Sequence, residues 1–300
     1  MSSSCPLTGK KSDTKDPSCS HEECISGTIH AGLPQGTVEP LHGLNTYTIG
    51  NRTNPRAIIV IYSDVFGHSL PNNKLIADSY AKSGEYLVYM PDFFEGDPVK
   101  LALADVLIPT DAAKQSILSK YGGLLANIPA FLMWQRRHGK EKTDRTCMEW
   151  LTNLRRSEEA QGKKIGMVGM CWGGRFALRA GRSVNDVTLP DGKKVPLVDA
   201  VVALHPSNVV LPEDVDGLAV PASYGWGVED TVTSFKQKAE IEEMEKKRKD
   251  AGETIPPVEH RVYKPGRHGF SVRGNPEDPA ERKCLEDSVT QVLGWMGQHI

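Results

Sequence analysis

The sequence predicts an α/β fold: a mostly parallel central sheet with helices on both faces. Three observations carry that expectation. Short β-branched and aliphatic runs alternate with longer stretches of helical periodicity. The runs have the length and Val/Ile content suited to buried strands, and their alternation with helices argues a mostly parallel sheet. And 300 residues are enough to bury a substantial core.

In chain order, residues 1–27 are polar and hold Cys5, Cys19 and Cys24, so they are expected to form a leader ahead of a single domain over 28–300. The predicted strands are Ala57–Tyr62, Tyr86–Met90, Lys164–Gly169, Val198–Leu204, Leu218–Tyr224 and Val258–Tyr263, each with the length and Val/Ile content of a buried strand. Helical spacing appears in Asn72–Ser83, where Leu75, Ile76, Ser79 and Tyr80 share a side, and in Thr146–Glu159 through Met148, Leu151 and Leu154. Thr233–Lys249 is strongly charged, with Phe235, Ile241 and Met244 as a thin apolar stripe, and reads as a solvated surface helix. Ala280–His299 closes the chain with Leu285, Val289, Val292, Leu293 and Met296 turned inward. The segment 92–139 is longer than one crossover needs and contains Pro98, Pro109, Gly122-Gly123 and Pro129, so part of it is expected to cap a site.

Composition narrows the partners. A net charge of −2 with 25% charged residues makes no broad electrostatic case for nucleic acid or an anionic membrane. No run of eighteen uncharged apolar residues occurs, and Met1–Lys15 is Ser- and Lys-rich without an apolar core, so a cytoplasmic location is the expectation. The six cysteines then read as free thiols rather than a disulfide framework. Cys19-x4-Cys24 with His21 fits no strong zinc spacing, and neither metal nor cofactor is expected.

One motif carries chemistry. Gly169-Met170-Cys171-Trp172-Gly173-Gly174 directly follows a predicted strand and directly precedes a helical stretch. That is the context of a nucleophile elbow, G-x-S-x-G with Cys in place of Ser, and it makes the expected architecture an α/β-hydrolase fold. The turn strains the backbone at the nucleophile, and the flanking glycines let strand and helix approach. The geometry presents the Cys171 side chain at the sheet edge and the Trp172 N–H toward an oxyanion, while the positive helix end favours a thiolate. With 28 Gly and 6 Cys, chance supplies only about 0.05 such G-x-C-x-G sites.

A Cys nucleophile needs a histidine and an acid to orient it, and in this fold the chain order is nucleophile, acid, histidine. Of the histidines after Cys171, His260 lies inside a strand run, His299 is penultimate on a closing helix, and His205 precedes the acidic candidates. His268 follows the last strand between flexible glycines and is the expected base. His205-Pro206-Ser207 is expected to line or pack the pocket wall, with no catalytic role. Among the acids, Asp199, Asp214 and Asp216 precede or begin strands. Glu229 and Asp230 both follow one, and sequence order alone does not separate them; Asp230 could instead cap the next helix.

With these sites placed, the chain resembles the dienelactone hydrolase (carboxymethylenebutenolidase) family from about Gly43 to the C-terminus. The resemblance rests on the cysteine elbow, Asp64-Val65-Phe66-Gly67, Pro91-Asp92-Phe93-Phe94-Glu95-Gly96, Gly227-Val228-Glu229-Asp230 and Arg267-His268-Gly269-Phe270. It implies a Cys171–His268–Asp230 triad, preferring Asp230 over Glu229, and a second oxyanion donor in the N–H of Val65. It also implies a thiol-tuning role for Asp64, where bacterial members carry Glu, and a substrate-carboxylate contact for Arg273, one residue further from the histidine than the family's arginine. No equivalent of the family's second substrate arginine is evident, although Arg136 and Arg137 lie in the variable region.

The expected chemistry is metal-free acyl transfer, in which Cys171 attacks a small lactone or activated ester and an acyl-thioester is hydrolysed. A lactamase, thioesterase or acyltransferase on the same scaffold is the enzymatic alternative. A hydrolase fold that holds a ligand without turnover is the other.

Overall fold

The computed structural model of the protein describes residues 32–101 and 129–300. The expected leader, with Cys5, Cys19, Cys24 and His21, lies outside the described residues, as does the middle of the 92–139 segment.

Eight strands form one sheet: β1 (Thr37–Leu41), β2 (Leu44–Gly50), β3 (Ala57–Tyr62), β4 (Tyr86–Pro91), β5 (Ile165–Met170), β8 (Ala200–Leu204), β9 (Ala222–Gly227) and β10 (Val258–Tyr263). Their spatial order is β1-β2-β4-β3-β5-β8-β9-β10. A short separate hairpin, β6 (Val187–Thr188) and β7 (Lys194–Val195), lies between β5 and β8 in the chain. From β4 to β10 every pairing is parallel, while β1–β2 and β2–β4 are antiparallel. β3, β4, β5, β8 and β9 are buried at every residue, which accounts for their continuous apolar runs.

The helices are α1 (Pro71–Ala81), α2 (Lys140–Arg156), α3 (Trp172–Ala180), α4 (Phe235–Asp250), the short α5 (Phe270–Arg273) and α6 (Pro279–His299). Two glycines of β5 show that helices cover both faces. Three residues apart, they point to opposite sides of the pleat. A Cβ on Gly166 would lie 2.3 Å from Met296 Sδ of α6, and one on Gly169 would lie 2.6 Å from Ala177 Cβ of α3. Both helices can therefore sit closer to the sheet than a side chain there would permit.

Several boundaries differ from expectation, for physical reasons. β1 and β2 were not expected: β1 is a short, mostly exposed edge strand that contains Pro40, and β2 beside it is buried only at its centre. The strand expected at Leu218–Tyr224 runs instead over Ala222–Gly227. Leu218 and Val220 are buried at the rim, but Pro221 has no N–H for the ladder, so the strand starts after it. The helix expected from Thr146 begins at Lys140 and ends at Arg156. On α6 the buried stripe runs through Cys284, Ser288, Gln291, Val292, Trp295 and Met296, with Leu285, Val289 and Leu293 at its border.

The register brings five strand ends side by side. Tyr62 pairs with Gly169, Met170 with Leu204, Leu204 with Gly225, and Gly227 with Tyr263. The loops leaving β3, β5, β8, β9 and β10 thus open along one edge, where open α/β sheets bind ligands. No helix among the described residues is long and apolar enough to cross a membrane.

Candidate active site

Cys171 stands between β5 and α3 with φ 51° and ψ −115°, a backbone conformation costly for a side-chain-bearing residue. The surroundings hold it there. Cys171 N–H donates to Leu204 O at 3.1 Å, and Gly173 N–H donates to Ser63 O at 3.2 Å. A Cβ on Gly173 would lie 2.0 Å from Tyr62 O, so only glycine lets the helix start against the end of β3. Cys171 itself is 5% exposed.

The loop after β10 delivers His268 to this turn. Its Nε2 is 3.1 Å from Cys171 Sγ, and its Nδ1 is 3.0 and 2.9 Å from the two carboxylate oxygens of Asp230. Burial works against a charged imidazole here. The electrostatic interaction with the Cys171 sulfur and the hydrogen bonds with Asp230 and Cys171 outweigh it and push His268 up to about 10. Burial likewise disfavours the Asp230 carboxylate, but hydrogen bonds from His268 and Thr233 N–H hold it below its ordinary value.

Asp230 also organises its own loop, since Oδ1 accepts from the N–H groups of Val232 and Thr233 at 2.8 Å each. The cap of α4 is Ser234, not Asp230. Glu229, left level with Asp230 by sequence order, points outward, 3.5 Å from Arg267. The other acids are engaged elsewhere. Asp199 binds Arg155 at 2.8 Å, and Asp214, wholly buried, accepts from Arg175 and Arg179. Asp216 is exposed.

Val65 follows β3, and its carbonyl accepts from Val99 N–H at 2.9 Å. Among the described residues, neither the Val65 N–H nor the Trp172 N–H is spent on a hydrogen bond. Asp64 shapes that loop: Oδ1 accepts from Phe66 N–H at 3.0 Å and from Asn73 Nδ2 at 2.9 Å. Its carboxyl is pushed up by burial, against those two donors and the positive charges of Arg273 and His268. No hydrogen bond joins Asp64 to Cys171, whose sulfur contacts are His268 and Ser207. Arg273 sits in α5, 4% exposed, its guanidinium 5.5 Å from the Phe66 ring.

His205, expected in the pocket wall, is wholly buried with Nε2 2.7 Å from Ser271 Oγ. His260 lies under α4, bonded to Trp226 Nε1 and Glu245, and His299 packs on Trp295. Arg137 pairs with Asp97 and Arg136 is exposed. Trp134 donates to Asp97 O at 2.7 Å and packs on Trp172 at 5.3 Å between ring centroids, so the described flank of the 92–139 segment reaches the elbow. Ser207, expected only to line or pack the pocket wall, touches the sulfur, at 3.6 Å. A single serine in a post-strand loop carries no pattern that would have singled it out.

A family model described as the dienelactone hydrolase family matches residues 44–300. The hydrolase pyvD of Aspergillus violaceofuscus is 27% identical, over 92% of this chain and 96% of its own. Dienlactone hydrolase 1 of Gibberella moniliformis is 26% identical, over 91% of each. The fold is similar to that of the dienelactone hydrolase from Anabaena variabilis, with a TM-score of 0.52, 14% identity, and coverage of 90% of this chain and 100% of that one. The chain belongs to the dienelactone hydrolase family, a hydrolase family with the α/β-hydrolase fold.

Proposed function

We propose that the protein hydrolyses a small lactone or activated ester through a Cys171–His268–Asp230 triad and an acyl-thioester. The observation that carries this reading is the doubly engaged imidazole: 3.1 Å from the sulfur on one side and bridged by both Asp230 oxygens on the other. The raised proton affinity of His268 supports a resting pair in which Nε2 holds the proton beside a cysteine thiolate. Membership of the family supports the substrate class.

In this mechanism the thiolate attacks the carbonyl carbon, and the new oxyanion accepts hydrogen bonds from the N–H groups of Trp172 and Val65. The C–O bond breaks as the imidazolium gives its proton to the departing oxygen. His268, now neutral and oriented by Asp230, removes a proton from water. The resulting hydroxide attacks the thioester, the C–S bond breaks, and the acid product leaves. A thiolate suits leaving groups such as enolates, which favours activated lactones over amides. Asp64 holds the oxyanion loop in shape, and Arg273 contributes charge behind it.

Turnover of an activated ester and an enol lactone by Cys171→Ala is the direct test, with mass analysis of the Cys171 peptide after acid quench. The expected result is a loss of about 10³-fold or more, and an acyl adduct on Cys171 in the native chain. Full turnover by the variant would overturn the assignment.

A further inference from the structure

We infer that Ser207 is a further catalytic residue, a hydroxyl donor that stabilises the Cys171 thiolate alongside His268. The inference rests on the nucleophile role proposed above and adds a group that neither the triad nor the oxyanion donors include.

Three observations converge on it. The Ser207 hydroxyl lies 3.6 Å from Cys171 Sγ, within hydrogen-bonding reach of a sulfur. Asn208 Nδ2 donates to the same hydroxyl oxygen at 3.2 Å. An oxygen that accepts from an amide still has its own proton to give, and among the described residues its remaining contact is the sulfur. A thiolate has no proton to give, so with Cys171 in that form the chain runs one way: Asn208 amide to Ser207 hydroxyl to thiolate. Each donation polarises the next, and a charged acceptor gains most from it.

The turn is built to hold that hydroxyl in place. Ser207 N–H donates to Cys171 O at 2.9 Å, so the serine is bonded to the nucleophile's own backbone. Pro206 fits against Gly174, where a Cβ would lie 2.7 Å from the proline ring. Thr233 Oγ1 donates to Pro206 O at 3.2 Å, tying the turn to the Asp230 loop. His205 and Asn208 both have positive φ, at 38° and 57°, so the chain accepts backbone strain on either side of a buried serine. The thiolate then has two donors, an imidazolium 3.1 Å away and a hydroxyl 3.6 Å away.

The test is the pH profile of iodoacetamide alkylation at Cys171, read by peptide mass analysis in the full chain, alongside kcat/KM for an activated ester. Ser207→Ala is expected to move the profile about one pH unit upward, with roughly tenfold slower alkylation on its acidic limb. Asn208→Gly keeps the positive φ and removes only the amide donor, so it is expected to move the profile in the same direction by less; it carries the test if Ser207→Ala folds poorly. A profile unchanged in either folded variant, against a reactive Cys171 in the native chain, would overturn the role of Ser207 alone. An unreactive Cys171 in the native chain, with turnover retained by Cys171→Ala, would overturn the nucleophile reading and this inference together.

Discussion

Two histidines stand side by side at the catalytic edge and carry opposite charge preferences. His205 leaves β8 and His268 leaves β10; their rings lie 5.1 Å apart, and both are buried, at 0% and 6% exposure. Burial by itself drives an imidazole toward neutrality, and it does so at both. At His205 only the charge of Asp230 and a backbone hydrogen bond oppose it, and they lose: the ring meets a neutral hydroxyl on Ser271 and the edge of Phe270, and burial together with the charge of His268 pushes it down to about 3. At His268 the sulfur and the Asp230 carboxylate reverse the outcome, to about 10. Equal burial, then, does not make equal histidines. The partners on the two ring nitrogens decide which one carries a proton, and the packed neutral ring keeps its charged neighbour in place.

The sharpest way to break that contrast is Asp230→Asn, which takes the charge from His268 and leaves it with a neutral partner, as His205 has. Turnover of an activated ester is expected to fall by about 10³-fold, mostly in kcat. A loss below tenfold would mean that Asp230 does not orient the base.

A second test separates the two by acid stability. The unfolded chain protonates His205 near 6.5, while the folded chain refuses that proton until about 3. Between those values the unfolded state binds more protons, so the native state loses stability as pH falls through this window. His268 has the opposite sign: its contribution is present below 6.5 and is lost as pH rises through about 10. His205→Asn tolerates the positive φ and cannot titrate, so from pH 6 to 4 its stability is expected to fall less steeply than the native chain's, by about 1 kcal/mol per pH unit. Urea unfolding at stepped pH measures this, and parallel profiles would sink it. The smallest effect is expected from Ser271→Ala, which removes the partner of His205 Nε2. A stability loss of about 1–3 kcal/mol is expected by the same urea measurement, with kcat little changed.

Much of this edge was legible in the sequence because the fold imposes local rules. A strand, a sharp turn and a helix need glycines around the nucleophile, which marks Cys171, and the order of elements marks His268. The parallel strands were visible for a similar reason, since burial on both faces erases alternation. The part-exposed strands β1, at the sheet edge, and β2 beside it have no such signature. The displaced start of β9 shows another limit: the apolar run from Leu218 to Val220 reports burial, not hydrogen bonding, and Pro221 separates the two.

What the sequence determined by itself is the set of local conformations and their order: an elbow that strains Cys171, a loop of glycines around His268, and two acids in one turn. Tertiary structure decided between neighbours. Glu229 and Asp230 share a loop and a charge, yet only Asp230 reaches the imidazole, while Glu229 faces Arg267 at the surface. His205 and His268 differ by what folds against them, and Ser207 meets the sulfur only because β5 and β8 pair in register. Distances across strands depend on that register and on packing, which no stretch of sequence encodes locally.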